Sequence, residues 1–179
     1  MSDEKLMSLV KKGKLDALSD LFERHHVKLF NFFVRLTQDA SLSEDLVQNV
    51  FERIIKYRRS YRGDASFKAW MYQIARNVRT DHYRLNRVKI DDAVQPDQLN
   101  LATGTHQEVL EKRERNRELE RAIMRLKPEY REVLLLGWFE KMSYAEVGEI
   151  MGLTESNVKV RIHRAIKQLR SQYNKTSCQ

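Results

Sequence analysis

The chain has 179 residues, enough for one medium domain or two small ones. Its 33 Lys and Arg against 25 Asp and Glu leave a net charge of +8, which favours a polyanionic partner without requiring one. Six glycines and two prolines are too few for the turns of an all-β fold, and one cysteine, Cys178, excludes an internal disulfide, so the expectation is an all-α protein of the reducing cytoplasm.

The first residues, "MSDEKLMSLVKKGKLD", are charged and carry no apolar core of a signal peptide. No apolar stretch reaches membrane-spanning length before a charge breaks it, so no membrane insertion is expected. A short helix over "EKLMSLVKK" should end at Gly13. Leu15, Leu18, Leu21, Phe22, Leu29, Phe30, Phe33 and Leu36 then follow helical spacing, with a surface bend expected near His25 and His26. "SLSE", Ser41 to Glu44, has the pattern of a capping box opening the next helix, whose apolar face is Leu46, Val47, Val50, Ile54 and Ile55. Its other face carries Glu44, Asp45, Gln48, Asn49 and Glu52 around Phe51. That is either an ordinary solvated face or a polar docking face for a protein.

"YRRSYRGDAS" is a polar break containing Gly63. A long helix is expected from near Phe67 to about Asn86, with Trp70, Met71, Ile74, Val78 and Leu85 inward. Across this stretch Arg62, Lys68, Arg76, Arg79, Arg84 and Arg87 interleave with Tyr61, Trp70, Tyr72, His82 and Tyr83. Such a mixture suits single-stranded DNA: cations follow the backbone, and aromatic faces stack on exposed bases at ~1–3 kcal/mol each. Phe67 and Trp70 are the aromatics more suited to the core.

Charge then changes sign along the chain. Met1–Val88 holds 17 basic and 11 acidic residues, Lys89–Arg115 holds 4 and 6, and Asn116–Gln179 holds 12 and 8. The middle segment contains "DDAVQPDQLNLATGT", which has no helical period and reads as a flexible linker or, less readily at this length, a surface loop. The expected organisation is two small helical domains, 1–88 and 116–179, joined by an acidic linker at 89–115. Thr105 to Glu108 forms a second capping-box pattern before a charged helix ending near Leu126. Pro128 suits the first turn of a following helix that ends near Phe139.

Ser143–Glu146 is a third capping box, and it starts a helix with Val147, Ile150 and Met151 inside. Gly152 can take the left-handed conformation that ends it, Leu153 fills the turn, and Thr154 can cap the next helix, with Glu155 at its positive end. Val158, Ile162, Ala165, Ile166 and Leu169 form the apolar back of that helix. Its front presents Ser156, Asn157, Lys159, Val160, Arg161, His163, Arg164 and Lys167. An amphipathic surface helix would also be charged outside. Cap, glycine, apolar spacing and an almost acid-free front together fit a DNA-reading helix-turn-helix better.

"EDLVQNVFERI", "FKAWMYQIARNVRTDHYR" and "PEYREVLLLGWFEKMSYAEVGEIMGLTESNVKVRIHRAIKQLR" occur in the order and spacing of one family. Over nearly its whole length apart from the linker, the chain resembles bacterial RNA polymerase sigma factors of the extracytoplasmic-function (ECF) subfamily. The resemblance implies two helical domains, sigma regions 2 and 4, that bind core RNA polymerase and direct it to promoters. It implies that Asp45, Gln48, Asn49, Phe51 and Glu52 dock on the polymerase clamp helices. It also implies that Tyr61, Arg62, Gly63 and Asp64, with Arg76, Asn77, Arg79, Asp81, Tyr83 and Arg84, bind and help open the −10 element. The front of the last helix, Ser156 to Lys167, would read the −35 element as duplex. No cofactor or metal is implied, and an anti-sigma factor is a possible partner. Four positions depart from the family pattern. Asn49 stands where an acid is common, Lys127 where Pro is frequent, Gly148 where Ala is usual, and Val160 where Ser is frequent. Val160 could still touch a thymine methyl.

Two other classes compete. A stand-alone regulator would explain the helix-turn-helix equally well, but it leaves the Arg-rich aromatic helix after Phe67 without a purpose. An enzyme with a helix-turn-helix tail would need a catalytic constellation. The five histidines have no metal-ligand spacing, "KKGKL" is too short for a phosphate loop, and Glu44–Asp45 suits a helix start.

Overall fold

A computed structural model of the chain describes residues 1–63, 66–86 and 118–176, and these are helical with no strand among them. Asp64, Arg87, the linker, the Thr105–Glu108 box and Cys178 lie outside the described residues. The described residues fall into two compact units: 1–63 and 66–86 with 149–152, and 118–148 with 153–176. No described helix is long and apolar enough to cross a membrane.

The first unit opens with α1, Asp3–Lys11, whose acids Asp3 and Glu4 lie at its positive end and Lys11 at its negative end. Leu6, Met7 and Val10 bury one face of it. Gly13, at φ +91°, turns the chain into α2, Asp16–Thr37. α2 is one uninterrupted helix that runs on through His25 and His26, where a surface bend was expected. His25 is not a surface residue: it is 4% exposed, among the inward positions Leu21, Leu29, Phe32 and Phe33. Asp3 is the reason a histidine is tolerated there. Its Oδ2 lies 2.6 Å from His25 Nε2, and Arg24 donates to its other oxygen at 2.9 Å.

α3, Ala40–Tyr57, begins earlier than "SLSE" suggested. Gln38 takes the left-handed conformation and ends α2, which leaves Asp39 extended and able to accept the Leu42 amide at 2.9 Å. A carboxylate so placed caps the helix first. Ser43 becomes a buried hydroxyl that donates to the Asp39 carbonyl and meets Thr37 Oγ1 at 3.0 Å. A 3-10 turn, Arg58–Ser60, closes α3. α4, Phe67–Asn86, packs on α3 and buries Met71, Ile74, Ala75 and Val78. Leu85, expected inward, is 73% exposed, because the core contact ends before the last turn of α4.

In the second unit, α5 covers 118–124 and α6 covers Pro128–Leu134, with Pro128 in its first turn. Arg131, only 8% exposed, reaches back from α6 to the carbonyls of Met124 and, at 3.1 Å, Leu126. The end of α5 is therefore capped by a guanidinium from the next helix. α6 passes into a π turn, Leu135–Phe139, within which Trp138 is 69% exposed after a buried run that ends at Leu136. α7, Tyr144–Met151, and α8, Glu155–Thr176, follow, with α8 lying on α6.

Candidate nucleic-acid and polymerase interfaces

The helix-turn-helix is built as its sequence suggests. Ser143 Oγ accepts the Glu146 amide at 3.3 Å, and the Glu146 carboxylate accepts the Ser143 amide and hydroxyl at 2.9 and 2.8 Å. This reciprocal capping box fixes the start of α7. Gly152 ends α7 at φ +67°, and the Leu153 amide turns back to the Gly148 carbonyl at 2.9 Å. The turn is tight enough that a Cβ on Gly148 would stand 2.6 Å from the Leu153 carbonyl oxygen. The alanine usual in the resembled family would therefore force this turn open by several tenths of an ångström. Thr154 then caps α8, its hydroxyl accepting the Asn157 amide at 3.2 Å.

α8 presents two faces. Val158 and Ala165 are fully buried, and Ile162, Ile166 and Leu169 are partly buried beside them. Ser156, Asn157, Lys159, His163, Arg164 and Lys167 are exposed, Val160 is 48% exposed, and Arg161 is half-buried at the edge. From Ser156 to Thr176 there is no acid. Apart from Val160, the exposed face is thus cationic or hydrogen-bonding, with its small polar residues in the first turn, where a helix entering the major groove meets base edges.

The first unit carries two further polar surfaces. On α3, Glu44, Asp45, Gln48, Asn49 and Glu52 are exposed on one side of the helix. Gln48 donates to Glu52 at 3.0 Å, and the Asn49 amide to the Asp45 carbonyl at 3.0 Å, so the two amides are held within an acidic face. Phe51 is not on that face. It is 6% exposed and meets Phe22 edge-on at 4.9 Å, and Phe22, stacked on His26 at 4.7 Å, is the ring that reaches solvent. Phe22 was missed in the sequence because its spacing reads as core. Only its place at the rim of the α2–α3 contact shows it outward.

α4 carries the opposite charge. Asn77 and Arg84 are exposed, Tyr83 is 41% exposed, and Arg76 and Arg79 are half-buried along the same side. Asp81, the acid of this helix, is engaged by Arg53 of α3 at 2.8 Å. The aromatic half of the single-strand pattern is largely structural. Tyr61, Phe67 and Tyr72 are each 2% exposed or less, Trp70 is half-buried, and Tyr61 packs against Phe67 and Trp70 at 6.2 and 5.2 Å. A ring so enclosed cannot stack on a base without leaving the core, so Tyr83 is the outward tyrosine of the stretch. Arg62 and Gly63 are exposed just beyond Tyr61, with Gly63 at φ +81°.

An apolar cleft of about 240 Å³ opens on the second unit among Leu119, Ile123, Leu134, Trp138, Ile166 and Leu169. It lies behind the cationic front of α8. Among the described residues, no group of His, Cys, Asp or Glu is placed to hold a metal ion.

Comparison with known proteins assigns both units. Residues 21–88 match the family model "Sigma-70 region 2", and residues 116–169 match "Sigma-70, region 4". The chain is 30% identical to RNA polymerase sigma factor CarQ of Myxococcus xanthus over 92% of its own length and 93% of that protein. It is 27% identical to the ECF RNA polymerase sigma factor SigW of Bacillus subtilis, over 96% and 97%. Its fold is shared by the sigma factor RpoE of Bartonella quintana, solved with the anti-sigma factor NepR, at a TM-score of 0.69 and 20% identity over 91% of this chain and 96% of that one. The chain therefore belongs to the sigma-70 family, as an RNA polymerase sigma factor of the ECF type.

Proposed function

We propose that the two units of this sigma factor divide promoter recognition between duplex and opened DNA, while the acidic face of α3 holds the polymerase. Promoter-specific initiation with core RNA polymerase comes with the family. Met1–Val88 works as region 2, Asn116–Gln179 as region 4, and Lys89–Arg115 as the linker between them. Asp45, Gln48, Asn49 and Glu52 dock on the clamp helices, with Phe51 as their support and Phe22 as the apolar rim. Arg62, Gly63 and Asp64, with Arg76, Asn77, Arg79, Tyr83 and Arg84, hold the −10 strand once its bases leave the stack. Ser156, Asn157 and Val160 face −35 base edges, and Lys159, Arg161, His163, Arg164 and Lys167 face the phosphates and the groove.

The observation that supports this division most is the segregation of charge. One helix of the first unit is acidic outside, its neighbour is cationic, and α8 is free of acid from Ser156 onward. A single helix-turn-helix grips only duplex. Tethering a second module that captures single strand turns two weak contacts into one usable affinity. The protein acts as a regulatory initiation factor of the cytoplasm rather than as a catalyst. The anti-sigma complex of its structural relative supports an inhibitory partner of that kind here.

Run-off transcription with core RNA polymerase on a genomic fragment library tests the function and yields the promoter. On that promoter, Arg161→Ala and Arg164→Ala should each cost roughly 1–3 kcal/mol of promoter affinity or lower the salt slope by about 1, with core binding intact. Asp45→Ala with Gln48→Ala should weaken core binding instead. Loss of core binding in the arginine variants, or an unchanged complex in the α3 variant, would overturn the assignment.

A further inference from the structure

The opened-strand reading gives a role to Arg62 and Gly63 but none to α1, which touches no DNA in that scheme. α1 is nonetheless fastened at both ends. At its start, Asp3 binds Arg24 and His25 of α2, and the His25 ring lies 5.6 Å from Phe67, the first residue of α4. At its end, the Lys11 ammonium donates to the Tyr61 carbonyl at 2.7 Å, across fifty residues of sequence.

That second contact falls at a particular place. After the 3-10 turn the backbone leaves helical geometry, and Tyr61 stands at φ −65°, ψ 120°. Its carbonyl has left the helical ladder, and a buried or half-buried carbonyl needs a donor. Lys11 supplies one, while the Tyr61 ring is locked in the core at 2% exposure. The ring and the carbonyl of one residue are thereby both held. The next two residues, Arg62 and Gly63, leave from that point into solvent. Fixing the departure point reduces the ordering that a captured strand would otherwise have to supply.

We infer that α1 is a positioning element for the opened −10 strand, and that Lys11, through the Tyr61 carbonyl, sets the geometry from which Arg62 and Gly63 engage it. This rests on the reading that Arg62 and Gly63 meet the melted strand. Lys11 is a positioning residue, not a DNA contact.

The test uses the full chain with core RNA polymerase on the promoter recovered by run-off transcription. Lys11→Met keeps the stem and removes the donor, Lys11→Arg keeps a donor, and Arg62→Ala probes the strand contact itself. Three quantities are read: core affinity, affinity for a single-stranded −10 oligonucleotide in the holoenzyme, and the rate of open-complex formation on duplex. Lys11→Met should lower strand affinity and opening rate roughly tenfold, the worth of one hydrogen bond to a charged group, with core affinity unchanged and Lys11→Arg largely restoring both. Wild-type opening in Lys11→Met overturns the inference. So does a parallel loss of core binding, which makes α1 a general support. If Arg62→Ala is impaired while Lys11→Met is not, the inference alone fails. If Arg62→Ala binds the oligonucleotide normally, the strand reading beneath it fails.

Discussion

Arg131 makes a stability prediction that the structure allows to be sized. Its guanidinium holds two carbonyls at the end of α5, those of Met124 and Leu126, from a site 8% exposed. Arg131→Met fills the same channel with a side chain of similar girth, so little packing is lost and the change falls on the hydrogen bonds. A bond to a charged donor contributes ~1.5–3 kcal/mol. Met124 is half-buried, so water recovers part of the loss at that carbonyl. The net cost is about 2–4 kcal/mol, or roughly 30- to 800-fold in the local opening equilibrium. Native-state hydrogen exchange by mass spectrometry on the full chain reads this directly. Peptides spanning 118–139 should lose that much protection, and peptides from α2 and α3 should lose none. Arg131→Lys, a point charge able to satisfy one carbonyl well, should fall about midway. A change below about threefold in 118–139 would refute the capping role and mean that solvent already serves both carbonyls.

Two further outcomes concern the α7–α8 turn and the N-terminal clasp. Gly148→Val places a branched side chain where even a Cβ lies 2.6 Å from the Leu153 oxygen, so the α7–α8 turn must open. Overpacking of this kind costs ~1–3 kcal/mol, and promoter binding should fall by tenfold or more while core binding holds; equal promoter affinity would show that the turn yields freely. For Asp3, burial alone would raise the carboxyl, but hydrogen bonds from His25 and Arg24, with their charges, outweigh it and hold it below its ordinary 3.8. Its stabilisation is therefore complete above the unfolded value and drains away as pH falls through the lower folded one. The urea midpoint of the wild type should exceed that of Asp3→Asn at pH 5, and the margin should shrink as pH falls below the ordinary carboxyl value of 3.8. A margin that does not shrink as pH falls below the ordinary carboxyl value of 3.8 would refute the clasp.

The helix-turn-helix was legible from sequence because all its determinants are local. Ser143 and Glu146, Gly152, and Thr154 with the Asn157 amide each act within a few residues, and they form the bonds their spacing implies. The start of α3 was misread because two caps competed within three residues. The left-handed Gln38 gave Asp39 the extended geometry that Ser41 lacks. The larger discrepancies involve distant partners. Phe51 and His25 meet residues far away in sequence, Phe22 and Asp3, and the Tyr61 ring is packed by Phe67 and Trp70, which belong to the next helix. An interleaved basic and aromatic pattern thus separates in space, arginines outward and most rings inward. Arg131 looks like an ordinary helix-surface charge until the end of α5 is seen against it.

The π turn has an optical consequence. The chain has two tryptophans, and they fall in different units: Trp70 half-buried on α4, Trp138 turned out to solvent beside the cleft of the second unit. Each unit therefore carries its own intrinsic fluorophore. Iodide quenches the Trp138 indole first, and anything that seats against that cleft shields it and shifts its emission to the blue. Events on the first unit register through Trp70 instead. Occupancy of the two halves can be followed separately in the unlabelled protein, one tryptophan-to-phenylalanine substitution at a time.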